Sequence, residues 1–398
     1  MTLIIAELFL QLINAAFMLV LNIYMTKIGY TDPEIASVIS YRFLGVMLIA
    51  FPLGLFIKGR KLMPFFYVSA ICGPALGLLT LYGIDNHLPF ITNISVLLWG
   101  ISLTCVQVVM LPFIMRNAKI ETQSEAISLN YATWSISTII TGFMIFSFSW
   151  INPVLFDEKF LLQLVSVLGF CSIIVLFFVK IKETVPVSES SRYDLKDFDW
   201  SLIVRSMVPV LIIAVGAGLT IPFINLFFFN IHGLDFNEFS FLGSITACLV
   251  AFAAIGVPYV KRRFGYKVAI TVGQTMAVLA LILLATTEFY SNYNWAIYIA
   301  IACYMLRQPL MNMAGPMTSE LTMNYVGKRN QEMTSSLIAS IWSGSWFFSS
   351  QIFRYFRAEG LNYSTIFFIT AALYSVGVIW YYFLIVDYEH RKMIIEKS

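Results

Sequence analysis

The stretch KETVPVSESSRYDLKDFDWSL, residues 182–202, decides how this chain is read. It is polar, carries both signs of charge, and sits at the midpoint of 398 residues. On either side the chain is overwhelmingly apolar. Overall 59% of residues are hydrophobic and only 12% are charged. A soluble domain runs at about 45–50% apolar and about 25% charged. No soluble fold of this length could bury so much apolar surface and still cover itself with charge. That excludes a soluble enzyme, a disordered chain and a nucleic-acid binder, and it makes lipid the solvent. A membrane helix needs about 20 apolar residues, so the length holds about a dozen spans and no folded domain outside the membrane.

Cut at turn residues and charge clusters, the apolar runs give twelve segments. They are 3–27, 33–57, 62–83, 91–116, 125–150, 160–181, 204–231, 234–260, 268–288, 294–321, 333–355 and 362–386. The fold expected is an all-α polytopic membrane protein of twelve transmembrane helices in two pseudo-symmetric six-helix bundles. The first bundle is 1–181. The linker is 182–203, with an amphipathic stretch (Tyr193, Leu195, Phe198, Trp200) suited to the membrane surface. The second bundle and a short cytoplasmic tail are 204–398. With both ends inside, nineteen of the 25 Lys and Arg fall on the cytoplasmic side and four outside, with Arg42 and Arg307 in mid-span. That is a strong positive-inside bias. A bacterial inner membrane is the expected location. The hydrophobic start is longer than a signal-peptide core and reads as the first span. The five cysteines lie in apolar runs without metal spacing and read as packing residues.

The halves echo each other. PLGLFIKGRK begins at Pro52 and PYVKRRFGYK at Pro258, and both share the spacing P-x6-G-x-K at an offset of 206. Pro112 and Pro316 lie 204 apart. Glu125, Ser128, Leu129 and Trp134 are echoed by Glu332, Ser335, Leu337 and Trp342. Offsets clustered at 204–208 point to a tandem duplication of six spans, a known transporter architecture.

On these features the chain resembles the major facilitator superfamily over essentially its whole length. The most specific local match is the loop between the second and third spans of each half, where the family reads roughly G-x-x-x-D-R-x-G-x-[RK]. The second half has Arg263, Gly265 and Lys267, with Arg262 where the acid is expected. The first half keeps Gly59, Arg60 and Lys61. The resemblance implies a cytoplasmic gate at these loops, and the missing acids alter its latch. The glycine-rich fifth span and the fourth-span arginine of the drug–proton antiporters are absent, so that subgroup is not matched.

Two arginines stand inside spans. Arg42 lies about ten residues into the second span, and Arg307 lies near the middle of the tenth. A charge at the bilayer centre costs at least about 2.5–3.5 kcal/mol, and such residues mark substrate or ion paths. Neither has a carboxylate at its depth in its own span. A guanidinium suits carboxylate or phosphate, so both are candidate anion contacts. The alternative for each is bonding to backbone groups or snorkelling. Glu7, Gln11, Asn14 and Asn22 form a polar stripe on the first span, with Met18 on the same face. Gln11 and Asn14 are cavity candidates, against a role as interhelical glue. In the seventh span Pro222 is expected to kink the helix, making Thr220 and Asn225 candidates against close packing. The tenth span adds Tyr304, Gln308 and Asn312, and the eleventh Trp342. Glu7 and Glu320 are candidates for proton coupling, against solvated helix-end acids.

The leading expectation is a secondary active transporter of a small organic anion or amphiphile working by alternating access. An exporter of a neutral hydrophobic or lipid-like compound is the alternative, and a non-transporting receptor or scaffold is the alternative of another class. No G-x-x-x-x-G-K-[ST] loop is present, so energy must come from a gradient. The three histidines fall in loops and the tail, and no nucleophile–base or metal pattern accompanies them, so no enzyme, metal or cofactor is expected. The expected partners are a small-molecule substrate, a coupling proton or counter-substrate, and the lipid bilayer. No nucleic acid is expected, and the chain should act as a monomer.

Overall fold

A chain that spans lipid must satisfy every backbone N–H and C=O within itself, and helices do so segment by segment. The computed structural model describes residues 2–57, 60–117, 120–180, 183, 198–327 and 330–397, and helix is the regular structure found among them. In chain order the helices are α1 (Thr2–Lys27), α2 (Asp32–Phe56), α3 (Met63–Asp85), α4 (Pro89–Asn117), α5 (Ile120–Ile151), α6 (Glu158–Phe177) and α7 (Trp200–His232). Phe236–Thr286 is one helical run broken at Gly265, giving α8 before the glycine and α9 after it. α10 (Ala296–Val326), α11 (Gln331–Ala358) and α12 (Tyr363–Lys397) follow. The expected tail after 386 thus continues α12 as helix.

Among the described residues, ten helices are long and apolar enough to cross a membrane. The exceptions are α10 and α11, at 31 and 28 residues long enough but less apolar than the others. The chain is an integral membrane protein, with twelve helices among the described residues.

By contacts the chain divides into two compact units, Met1–Ser190 with Pro222–Ala247, and Ser191–Ile221 with Cys248–Ser398. The boundary within α7 coincides with the expected kink. A 3-10 turn at Ile221–Phe223 splits that helix around Pro222, whose ring removes a backbone donor.

In the first unit, α2 and α4 pack backbone to backbone. A Cβ at Gly45 would strike the carbonyl of Leu97, and one at Gly100 would strike that of Arg42. Without a hydrophobic drive between helices in lipid, such close approach is what holds them. Toward the termini side, Leu10, Phe66, Ala70, Val106, Met110 and Phe113 form a buried core.

The segment Pro222–Ala247 packs on α1 and α5 in the same unit. Asn22 donates to the Pro222 carbonyl at 2.6 Å and to Asn225 Oδ1 at 3.0 Å. The 203 residues between these asparagines approximate the repeat offset. Ser244 donates to the Ile139 carbonyl at 3.2 Å, where Gly142 leaves room for the crossing. At the end opposite the termini, Lys27 Nζ lies 2.5 Å from Glu158 Oε1 and 2.7 Å from Asp235 Oδ1. One lysine thus ties the ends of α1, α6 and α8. Lys27→Gln is expected to cost stability only within about 1 kcal/mol, as half-exposed pairs do. It should speed amide exchange in residues 28–31 and 233–235, an effect that shrinks in high salt. Unchanged exchange there would show the three ends to be held by other contacts.

In the second unit, Asp199 caps α7 by accepting from the Ser201 and Leu202 amides at 3.1 and 3.3 Å. Ile203, Met207 and Val210 then bury against Ile338 and Ile341 of α11. Tyr193 and Leu195 of the amphipathic stretch lie outside the described residues, and Trp200 begins α7.

Candidate functional site

A cavity of about 220 Å³ opens within the second unit. One wall belongs to α10. Arg307, Gln308, Met311, Asn312, Gly315 and Thr318 recur every three to four residues along it, which is one helical face. Pro316 removes the helical donor to the Asn312 carbonyl, which leaves that carbonyl polar beside the cavity. The facing wall is apolar, with Val210, Ile213, Ala217 and Ile221 of α7 and Ile338 of α11. α9 contributes Gln274, and α12 contributes Tyr374 and Tyr381, seven residues apart and so on one face. Trp342 of α11, with Ser319 and Thr322 of α10, completes the lining.

Arg307 is the centre of this arrangement. It is 1% exposed. Its Nη2 donates to the Tyr374 hydroxyl at 3.3 Å, and the guanidinium sits 5.7 Å from that ring's centre. Its Nε and Nη1 have no protein partner. No carboxylate lines the cavity among the described residues. A buried guanidinium with spare donors and no counter-charge is a costly arrangement that an anion would relieve.

Residues 3–350 match the sequence profile of the Major Facilitator Superfamily. The chain belongs to the major facilitator superfamily. That family is made of transporters that work by alternating access, not of enzymes. No curated protein matches the chain. Solved structures share its fold at low identity. A POT family transporter, PepTSo, aligns with a TM-score of 0.76 and 10% identity over 98% of each chain. The D-xylose-proton symporter aligns with a TM-score of 0.74 and 12% identity, covering 95% of this chain and 96% of that one. A bacterial homologue of the iron transporter ferroportin, in an inward-facing state, aligns with a TM-score of 0.73 and 13% identity, covering 96% and 97%.

The other mid-span arginine of this superfamily member has a different setting. Arg42 lies in the first unit, where its Nη2 donates to Asn14 Oδ1 and its Nη1 to Met18 Sδ at 3.1 Å. The guanidinium stacks 4.9 Å from the Trp99 ring centre. The space beside it is only about 10 Å³, room for about one water. Asn14 in turn donates to Gln11 at 3.3 Å. Arg42, Asn14 and Gln11 therefore come together, as a buried polar cluster joining α1 to α2. Arg42→Gln is expected to lower stability by about 1–3 kcal/mol and to leave anion affinity within twofold. A thermal melt and a ligand titration on the same sample check both halves.

The polar stripe of α1 is wholly buried, with Glu7, Gln11, Asn14 and Asn22 all below 5% exposed. It does not serve one cavity. A π turn at Phe17–Leu21 takes in an extra residue, and past it Asn22 turns to α7 instead of to Arg42.

Thr220 and Asn225 are packing contacts within their units. Thr220 donates to Thr370 Oγ1 at 2.9 Å, and Asn225 takes the Asn22 bond. Tyr304 is buried and accepts from Gln308 at 3.4 Å behind the cavity wall. Glu320 holds Lys261 at 2.6 and 2.7 Å at the termini end of α10. Glu7 is buried, and its Oε2 has no partner.

The loop residues fall at the termini ends of the helices. Gly59 lies outside the described residues. Lys61 is exposed, and Arg60 stacks 3.8 Å from the Phe56 ring centre. Arg116 of α4 donates to the Arg60 and Ile57 carbonyls at 3.0 and 3.3 Å, and Glu183 accepts from the Leu62 amide at the start of α3. In the second unit Gly265 has φ 70°, a left-handed conformation suited to glycine. Arg263 donates to Tyr259 at 3.2 Å, and Lys267 lies over Tyr382.

Sequence reading missed Gln274, Tyr374, Tyr381 and Thr318 as lining residues. Gln274 left a signal, being a lone amide in the apolar run VAITVGQTMAVLALILLA. The tyrosines left only their spacing of seven.

Proposed function

We propose that the chain carries a small organic anion across the membrane, with the anionic group resting on Arg307. The observation that carries this reading is the buried guanidinium with two spare nitrogens in a cavity without a carboxylate. The apolar wall of α7 suits a substrate with a hydrocarbon body, so an amphiphilic acid fits as well as a compact one. Arg42 is left out of the contact, because Asn14 and Met18 engage both of its terminal nitrogens and the space beside it, about 10 Å³, has no room for an organic acid.

The two sequence halves, 1–181 and 204–398, rock as bodies about the linker 182–203. Both termini face the cytoplasm of a bacterial inner membrane, as the placement of Lys and Arg indicates. Coupling to protons falls to Glu7, a buried acid with a spare oxygen, since Glu320 is held by Lys261. The test is uptake of a panel of radiolabelled organic acids into proteoliposomes, wild type against Arg307→Gln. Transport of acids that vanishes in the variant supports the reading. Transport of acids that persists in a folded variant removes Arg307 from the contact.

A further inference from the structure

Gln274 asks for a second feature of the substrate. It is 3% exposed, it lines the same cavity as Arg307, and its Oε1 has no protein partner. A buried amide left without a partner is costly. On its own face of α9 Ile270, Ala277 and Val278 are apolar, and the nearby Thr271 hydroxyl donates to the Lys267 carbonyl instead.

Building on the anion reading above, we infer that the transported anion is a small monocarboxylic acid bearing a hydroxyl group, which Gln274 binds. A carboxylate has only acceptors, so on its own it satisfies the arginine and leaves the amide oxygen bare. A hydroxyl can donate, and so it supplies the amide oxygen with the bond that a carboxylate cannot. An ammonium group is a poor substitute. No Asp or Glu lines the cavity among the described residues, and Arg307 would repel a second cation. Amino acids are therefore rejected although they carry the same carboxylate. One arginine balances one negative charge, which selects a monoanion. The cavity, at about 220 Å³, is about half as large again as one of about 150 Å³ that takes benzene. Ile213, Ile221, Met311 and Ile338 face the hydrocarbon part.

The test uses matched ligands on the purified full-length protein, read by isothermal titration. One set is 3-phenyllactate, 3-phenylpropionate and phenylalanine. The shorter set is lactate, propionate and alanine. In at least one set the hydroxy acid should bind tenfold or more tighter than its deoxy partner, and the amino acid should not compete. Gln274→Leu should erase that tenfold difference, bringing the hydroxy acid and its deoxy partner to equal affinity. Gln274→Glu should weaken every acid and admit the amino acid. Arg307→Gln should abolish binding of all the acids. Equal affinity of wild type for hydroxy and deoxy acids overturns the hydroxyl inference and leaves the anion reading standing. No binding of any acid in either set overturns both.

Discussion

Arg307→Gln is expected to cut transport of the anionic substrate by two orders of magnitude or more. Hydrogen bonds from a charged donor contribute about 1.5–3 kcal/mol each. Two nitrogens of Arg307 lack a protein partner, so losing both bonds removes about 3–6 kcal/mol of anion affinity. At about 1.4 kcal/mol per factor of ten, that exceeds a hundredfold. The variant should also melt higher than wild type when no ligand is bound, because an unpaired buried charge is destabilising and its removal relieves the fold. Loss of transport with a raised melting temperature is a signature that misfolding cannot mimic. Arg307→Lys keeps the charge but not the planar donors, and it should fall between the two. Counterflow in proteoliposomes and a thermal melt of the same preparations give both readings. A variant that loses transport and melts lower would make Arg307 a structural residue.

Gly100→Leu is expected to be the most damaging single change to the fold. The glycine lies against the backbone of Arg42, and the reciprocal glycine, Gly45, lies against the backbone of Leu97. A side chain there meets a carbonyl group on a neighbouring helix, which cannot rotate away as a side chain can. Overpacking of a core costs typically about 1–3 kcal/mol, and this crossing belongs at the upper end because both obstacles are backbone. Separating α2 from α4 would also draw Arg42 from Asn14 and from the Trp99 ring, a second loss. The expected outcome is a sharp fall in monodisperse protein and in melting temperature, with Gly100→Ala intermediate. A Gly100→Leu protein that purifies and melts like wild type would show that the helices separate at little cost.

The pattern of spans was legible for ten of the helices because lipid imposes it residue by residue. Twenty apolar positions in a row mark a span wherever they occur, and charges mark the ends. Arg307 was legible for the same reason, since any charge far from a helix end stands out against the apolar background. Gln308, Asn312 and Trp342 were legible as its neighbours in sequence or repeat. Gln274, Tyr374 and Tyr381 were not, because an amide or a tyrosine in a span reads equally as interhelical glue.

The same limit applied to Arg42. In sequence it matched Arg307 in type and depth. Only the neighbouring helices distinguished them, by placing Asn14 and Met18 against the terminal nitrogens of Arg42 so that Nε alone is spare, and leaving two nitrogens of Arg307 bare beside a larger cavity. The polar stripe of α1 illustrates the point within one helix. A constant angle per residue placed Asn22 with Asn14, and the π turn between them sent Asn22 to α7.

Sequence by itself determined that the chain lives in lipid and is built of membrane-spanning helices. Solvation decides those properties, and solvation acts on each residue locally. The tertiary structure decided which buried polar groups satisfy one another and which remain for a ligand. That depends on which groups lie within about 3 Å of each other across helices, a distance no single span encodes.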